Sequence, residues 1–298
     1  MLICHTSDNQ ERLSFLESVA EKVNSPESQD AYVYAITAVA TVKLELKDLP
    51  GARTTLDKAE KMLDRFDSVE NIVHAAFYRV NADYYQAKLD FASYYKNALL
   101  YLACINLDDL TPEERRVRAY DLALAALVST TIYNFGELLL HPILGSLETE
   151  DDWLVKLLFA FNRGDLHAYD ALSGNISQNG LLAEHKDGLR QKIYLSALTE
   201  AVFRRPPHDR AMSFATIAEE TKVRPDEIEH LVMKALSLGL LKGSIDQVDE
   251  VARINWVQPK VLDMKQIEGM RTRLQEWDSS VNQLGNWIES VGQDVWAA

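Results

Sequence analysis

Along most of the chain, apolar residues recur at steps of three and four, the period of a helix that buries one face. Leu13, Leu16, Val19, Ala20 and Val23 make the first such stripe, and Asn24-Ser25-Pro26 stops it. A second helix is predicted over 32–46 and a third over 52–66, parted by the breaker Asp48-Leu49-Pro50-Gly51. The same hairpin is expected again at 75–88 and 91–102, with Leu56 matching Tyr95, Ala59 matching Ala98 and Leu63 matching Leu102. Such a recurrence marks a helix-pair solenoid, because one hairpin cannot bury its apolar face until a neighbour stacks on it. Further pairs are predicted at 112–130 with 135–144 and at 151–161 with 165–172. In the last, Gly164 ends one helix and Asp165 caps the next. The polar stretch 173–180 reads as a loop, and 189–203 as the closing helix before Arg204-Arg205-Pro206-Pro207.

Beyond the prolines the pattern changes. Ser213 can cap a short helix over 214–221, Pro225 opens another that runs to Leu238, and Gly239 ends it. Two strands follow, 240–245 and 251–257, around the turn 246–249. In the second, Ala252, Ile254 and Trp256 alternate with Val251, Arg253, Asn255 and Val257. Helix, turn, helix and a two-stranded wing is a winged-helix order. The last segment is the most regular: Ile267, Met270, Leu274, Trp277, Val281, Leu284, Ile288, Val291 and Val295 step by three and four without a break, as a coiled-coil seam does. Gly285 and Gly292 each lower helix propensity by about 1 kcal/mol relative to Ala, so this helix is expected to need partner helices. The reading is therefore mainly α: a right-handed, TPR-like helical solenoid over 1–208, a winged helix over 209–260 and a C-terminal bundle helix over 261–298.

Charge narrows the partners. The 298 residues carry 31 Lys+Arg against 45 Asp+Glu, a net charge of −14, which repels phosphate backbones and anionic lipid heads. Residues 122–132, the longest run of low polarity, fall well short of the ~20 residues that span a bilayer. Met1-Leu2-Ile3-Cys4 is too short for a secretory core, so Cys4 and Cys104 are expected to be reduced thiols of an intracellular protein. No HExxH, CxxC, Gly-x-Ser-x-Gly or glycine-rich phosphate loop occurs, and the seven histidines are scattered singly. No catalytic, cofactor or metal residues are nominated, and the chain is expected not to be an enzyme. Arg163-Gly164-Asp165 is read as an interhelical turn rather than an adhesion motif.

If the winged helix read DNA, the first turn of its second helix would meet base edges, and that turn carries Asp226, Glu227 and Glu229. Lys222, Arg224, His230 and Lys234 are the only offsetting groups nearby, so protein contact is expected instead. The contact candidates are Leu241, Gly243, Ile245, Ile254 and Trp256 on the wing, and Ile267, Met270, Leu274, Trp277, Val281, Leu284, Ile288 and Val291 on the last helix. The aromatic cluster Tyr84, Tyr85, Phe91, Tyr94, Tyr95 and Tyr101 is read as helix packing rather than a peptide groove.

This order of parts resembles the PCI subunits shared by the proteasome lid, the COP9 signalosome and a translation-initiation complex. The words NFGELLLHP (134–142), AFN (160–162), LVMKALSLGL (231–240), KGSID (242–246) and WVQP (256–259) are similar to those of the proteasome-lid branch. The resemblance runs from about residue 30 to the end and puts the PCI domain at roughly 90–260. It implies a non-catalytic scaffold that supports lid assembly and ubiquitin-dependent degradation in cytoplasm and nucleus, without cofactor, nucleic acid or membrane. It also implies a hetero-oligomer in which the wings (240–246, 251–257) of neighbouring PCI subunits pack side by side and the last helices (267–295) bundle. Family members usually carry further hairpins before the point where this chain begins, so a shortened solenoid is expected. The alternatives are a PCI subunit of another complex, such as the signalosome or an initiation factor, an mRNA-export adaptor, or a winged-helix nucleic-acid binder.

Overall fold

The computed structural model describes residues 9–25, 28–65, 70–147, 151–206, 209–259 and 264–296. Cys4, the stop at Pro26, the helix end at Phe66 and the boundary at 208 lie outside them. Five helices open the chain: α1 (Asn9–Val23), α2 (Gln29–Glu45), α3 (Leu49–Leu63), α4 (Asn71–Ala87) and α5 (Phe91–Cys104). Val33, Ile36, Leu56, Phe77 and Val80 of α2 to α4 bury one another in a first core. Tyr94, Tyr95 and Tyr101 of α5 enter a second core, and Tyr85 and Phe91 pack against it. The aromatic cluster is thus packing, as expected.

One turn closes three hairpins. Lys47, Leu89 and Gly164 each take a left-handed conformation, with φ of 62°, 61° and 65°. The aspartate that follows donates its amide back five residues, Asp48 to Lys43 O at 2.9 Å, Asp90 to Tyr85 O at 3.0 Å and Asp165 to Ala160 O at 2.9 Å. The aspartate carboxylate then accepts from the next helix, from Gly51 N at 3.0 Å, Ser93 N at 3.3 Å and Ala168 N at 3.1 Å. A Schellman-type stop and an aspartate N-cap share two consecutive residues. Aligning these turns pairs Ala52 with Tyr94, Thr55 with Asn97, Leu56 with Ala98 and Ala59 with Tyr101, all buried. The repeat register is therefore shifted from the one read off the apolar stripe.

The second core continues through α6 (Pro112–Val128), α7 (Gly136–Leu140), α8 (Asp152–Arg163), α9 (Leu166–Ala171), α10 (Ser173–Gln178), α11 (Gly180–Glu184) and α12 (Lys186–Arg204). A capping box at Thr111 and Glu114, with Pro112 in the first turn, starts α6. Two expectations fail here. The helix foreseen over 135–144 is only the five residues of α7, because Pro142 cannot continue it; a 3-10 segment, Pro142–Leu147, takes over and buries Ile143 and Leu147. The foreseen loop 173–180 is instead α10, anchored by Ile176, and Asn179 caps α11 by accepting from Leu182 N at 3.1 Å.

The winged helix comprises β1 (Ala211–Ser213), α13 (Phe214–Thr221), α14 (Ile228–Ser237), β2 (Leu241–Asp246) and β3 (Val251–Val257). The strands form one antiparallel sheet in the order β1-β3-β2, so a third strand, too short to show an alternation, joins the predicted pair. Pro225–Glu227 is a 3-10 turn, and the α-helix proper begins at Ile228. Helix α12 belongs to two cores at once. Leu189, Ile193 and Ala197 face the repeats, whereas Leu195, Leu198, Ala201 and Val202 face the winged helix. Gly164 allows this wall to sit close: a Cβ there would stand 2.5 Å from the Ala197 Cα. Residues Met1–Gln258 accordingly group as one compact unit, and Pro259–Ala298 as a second that carries α15 (Met264–Trp296).

Candidate assembly surfaces

The wing is built around an irregularity. Lys242 pairs with Trp256, but the next residue, Gly243, pairs with Ile254, which leaves Asn255 without a partner in the ladder. A bulge of this kind flips the side-chain alternation beyond it. Ala252 and Ile254 point into the core as the alternation predicts, then Val257 points in as well, and Trp256 turns outward, 37% exposed. The expectation that Trp256 shares a face with Ile254 is corrected by that single extra residue. Glycine is required opposite it, since a Cβ at Gly243 would lie 2.2 Å from the Arg253 carbonyl oxygen.

The five wing candidates therefore differ in what they offer. Leu241 and Ile254 are buried in the winged helix's own core, and Ile245 packs half-buried against it. These three hold the wing in shape; as direct contacts Leu241 and Ile254 are withdrawn, because their side chains are already covered. Gly243 contributes backbone. Trp256 is presented, with Lys242 Nζ 4.7 Å from its ring centroid. Strand β2 is an edge strand, and a bulge and a lysine are devices that keep such an edge from indiscriminate pairing. The available surface is the outer face around Trp256.

The turn that leads into α14 is acidic and partly paired. Arg224 donates to Glu227 and lies 3.8 Å from Asp226, and these contacts raise its pKa. Glu229 accepts from Gln247 Nε2 at 3.1 Å. Lys222 Nζ sits 2.7 Å from His167 Nε2. Two of the four offsetting basic groups, Lys222 and Arg224, thus make contacts within the chain.

Helix α15 offers an apolar face. Ile267, Met270, Leu274, Trp277, Val281, Leu284 and Ile288 are all exposed, from 44% for Met270 to 67% for Trp277. Val291 lies in the helix, but its side chain falls outside the described residues. Trp287, three residues after Leu284 and four before Val291, is exposed as well at 60%; as a tryptophan it is, with Trp256 and Trp277, a candidate interface anchor by residue type. These side chains form one apolar strip exposed along the helix. Among the described residues no group of His, Cys, Asp or Glu is placed to hold a metal ion, and no helix is long and apolar enough to cross a membrane.

Helical repeats that close on a winged helix define a PCI-type subunit, and residues 167–256 match the PCI domain. Residues 1–158 match the PSD13 N-terminal repeats, and residues 260–292 the Rpn9 C-terminal helix. The chain belongs to the family of 26S proteasome non-ATPase regulatory subunit 13, also named Rpn9. It is 44% identical to the probable 26S proteasome regulatory subunit rpn9 of Schizosaccharomyces pombe, over 96% of this chain and 75% of that protein. It is 42% identical to the 26S proteasome regulatory subunit RPN9 of Saccharomyces cerevisiae, over 94% of this chain and 72% of that protein. Homolog A of subunit 13 from Arabidopsis thaliana is 38% identical, over 98% of this chain and 78% of that protein. A chain of this family is a component of a hetero-oligomeric complex.

Proposed function

We propose that this chain is a non-catalytic lid subunit of the 26S proteasome regulatory particle, working by association in cytoplasm and nucleus. It positions neighbours so that other subunits can process ubiquitin-tagged substrates. Helix α15 carries the reading: seven apolar side chains on a strict three-four stripe stand exposed, and partner helices of other PCI-type lid subunits are the chemistry that covers them. Burying that strip contributes on the order of 25 cal/mol per Å² of apolar surface, less the costs of ordering and association. The outer face of the wing, around Trp256 and Lys242, is the second contact, toward a neighbouring winged helix. The initiation-factor and signalosome alternatives are not favoured, since the relatives above carry proteasome names. The domain division that fits this role keeps 1–208, 209–260 and 261–298 as repeats, winged helix and bundle helix.

The test is the double substitution Leu274→Asp with Leu284→Asp. Both side chains are exposed, at 62% and 56%, so the variant chain should fold with an unchanged melting temperature. It should nevertheless be missing from affinity-purified proteasomes. Stoichiometric recovery of the variant in the particle would sink the bundle-helix role.

A further inference from the structure

Lys192 is buried in the middle of α12, 4% exposed, and among the described residues its Nζ meets backbone carbonyls and aromatic rings. It donates to the carbonyl oxygens of Ala126 at 2.7 Å, Leu127 at 3.0 Å and Ser129 at 2.7 Å. The first two belong to the last turn of α6, whose carbonyls have no partner within the helix and carry the negative end of its dipole. The ring centroids of Phe135 and Tyr133 lie 5.1 and 5.5 Å from the same atom. Burial pushes the Lys192 pKa down to about 7. The acceptor count works against that push, because three carbonyls use three N–H donors, which the ammonium has and the neutral amine lacks. Three short donations to carbonyl oxygens hold the side chain charged.

The place of this contact matters more than its strength. Helix α12 is the wall that the repeats and the winged helix share. The segment leaving α6 sends Phe135 into the core of the repeats and packs Tyr133 against that of the winged helix. Lys192 ties the end of α6 to α12 at the point where the two cores meet. An apolar side chain of similar volume could fill the space, but it would leave the carbonyls of Ala126, Leu127 and Ser129 without this donor. It could not hold three carbonyls in one arrangement.

We propose that Lys192 is the positioning residue that fixes the angle between the helical repeats and the winged helix, through a three-point ammonium clasp on the end of α6. The clasp lies within one compact unit, so the proposal stands or falls on the isolated full chain, independently of whether that chain enters a proteasome. Spin labels at Lys88→Cys and Ser237→Cys, in a chain lacking its two native cysteines, report the angle as a distance distribution. Lys192→Met should broaden or shift that distribution. Amides of residues 129–135 should also exchange at least roughly tenfold faster, since the substitution removes three donations and one charge-assisted hydrogen bond alone is worth a factor of that order. Lys192→Arg, which keeps charge and donors, should restore a narrow distribution. If Lys192→Met does not fold, Lys192→Gln, which retains two donors, replaces it and should give an intermediate width. A distribution and exchange pattern equal to the parent chain's in the Met or Gln variant would overturn the proposal and leave Lys192 as packing alone.

Discussion

Gly164 and Leu89 occupy the same left-handed position in the same turn and differ in what stands above them. Leu89 is 70% exposed, so its side chain gains little there, and a non-glycine residue in this conformation costs roughly 1–2 kcal/mol. Gly164 has the Ala197 backbone 2.5 Å from where a Cβ would be. Opposite outcomes are therefore expected in urea denaturation. Leu89→Gly should leave stability unchanged or raise it by up to about 1 kcal/mol, whereas Gly164→Ala should lower it by roughly 2–4 kcal/mol. Asp83 supplies a pH prediction. Burial pushes its carboxyl above the usual range, and Arg118 and Arg79 offset only part of the push. The folded chain thus holds this proton to a higher pH than the unfolded chain does. Its contribution is full below the ordinary aspartate pKa of about 4 and is lost as pH rises through the raised folded value. Asp83→Asn should be the more stable protein at neutral pH, with the gap closing in acid; a pH series of melting temperatures decides it.

At the scale of elements, the apolar period was a good guide to where helices are and a poor guide to their register. A helix face repeats nearly as well at three residues as at four, so a shift of three between hairpins keeps apolar on apolar, and only the shared turn at Asp48 and Asp90 removes the ambiguity. The short helix α10 escapes the period for another reason: it is six residues long and held by one buried anchor, Ile176, too few apolar positions to write a period. Helix α15 is the opposite case, legible in full from spacing yet exposed along its stripe. A Cβ at Gly285 would meet only open space, so Gly285→Ala should add about 1 kcal/mol of helix propensity and raise the helical signal of the isolated chain at 222 nm. No gain in helicity would mean that the segment is already fully formed without partners.

At the scale of the molecule, sharing α12 makes the repeats and the winged helix mutually dependent. Leu198 is fully buried on the winged-helix side of that wall. Leu198→Ala should cost about 2–5 kcal/mol. Because α12 also closes the other core, hydrogen exchange should show amides of α6 and α8 losing protection together with those of β2 and β3. Loss confined to the winged helix would mean that the two cores open separately.

The family words and the last helix were readable as they stand, because helix periodicity and turn chemistry are local properties written in neighbouring residues. So was the negative charge of Asp226, Glu227 and Glu229, since charge is carried by residue type. What only the tertiary structure decided is which of the nominated contacts are free. One unpaired residue, Asn255, turns Trp256 out and Val257 in, and the packing of α13 and α14 on the sheet consumes Leu241 and Ile254. The clasp of Lys192 on carbonyls more than sixty positions away belongs to the same class. Burial depends on neighbours distant in sequence, and no local pattern records who those neighbours are.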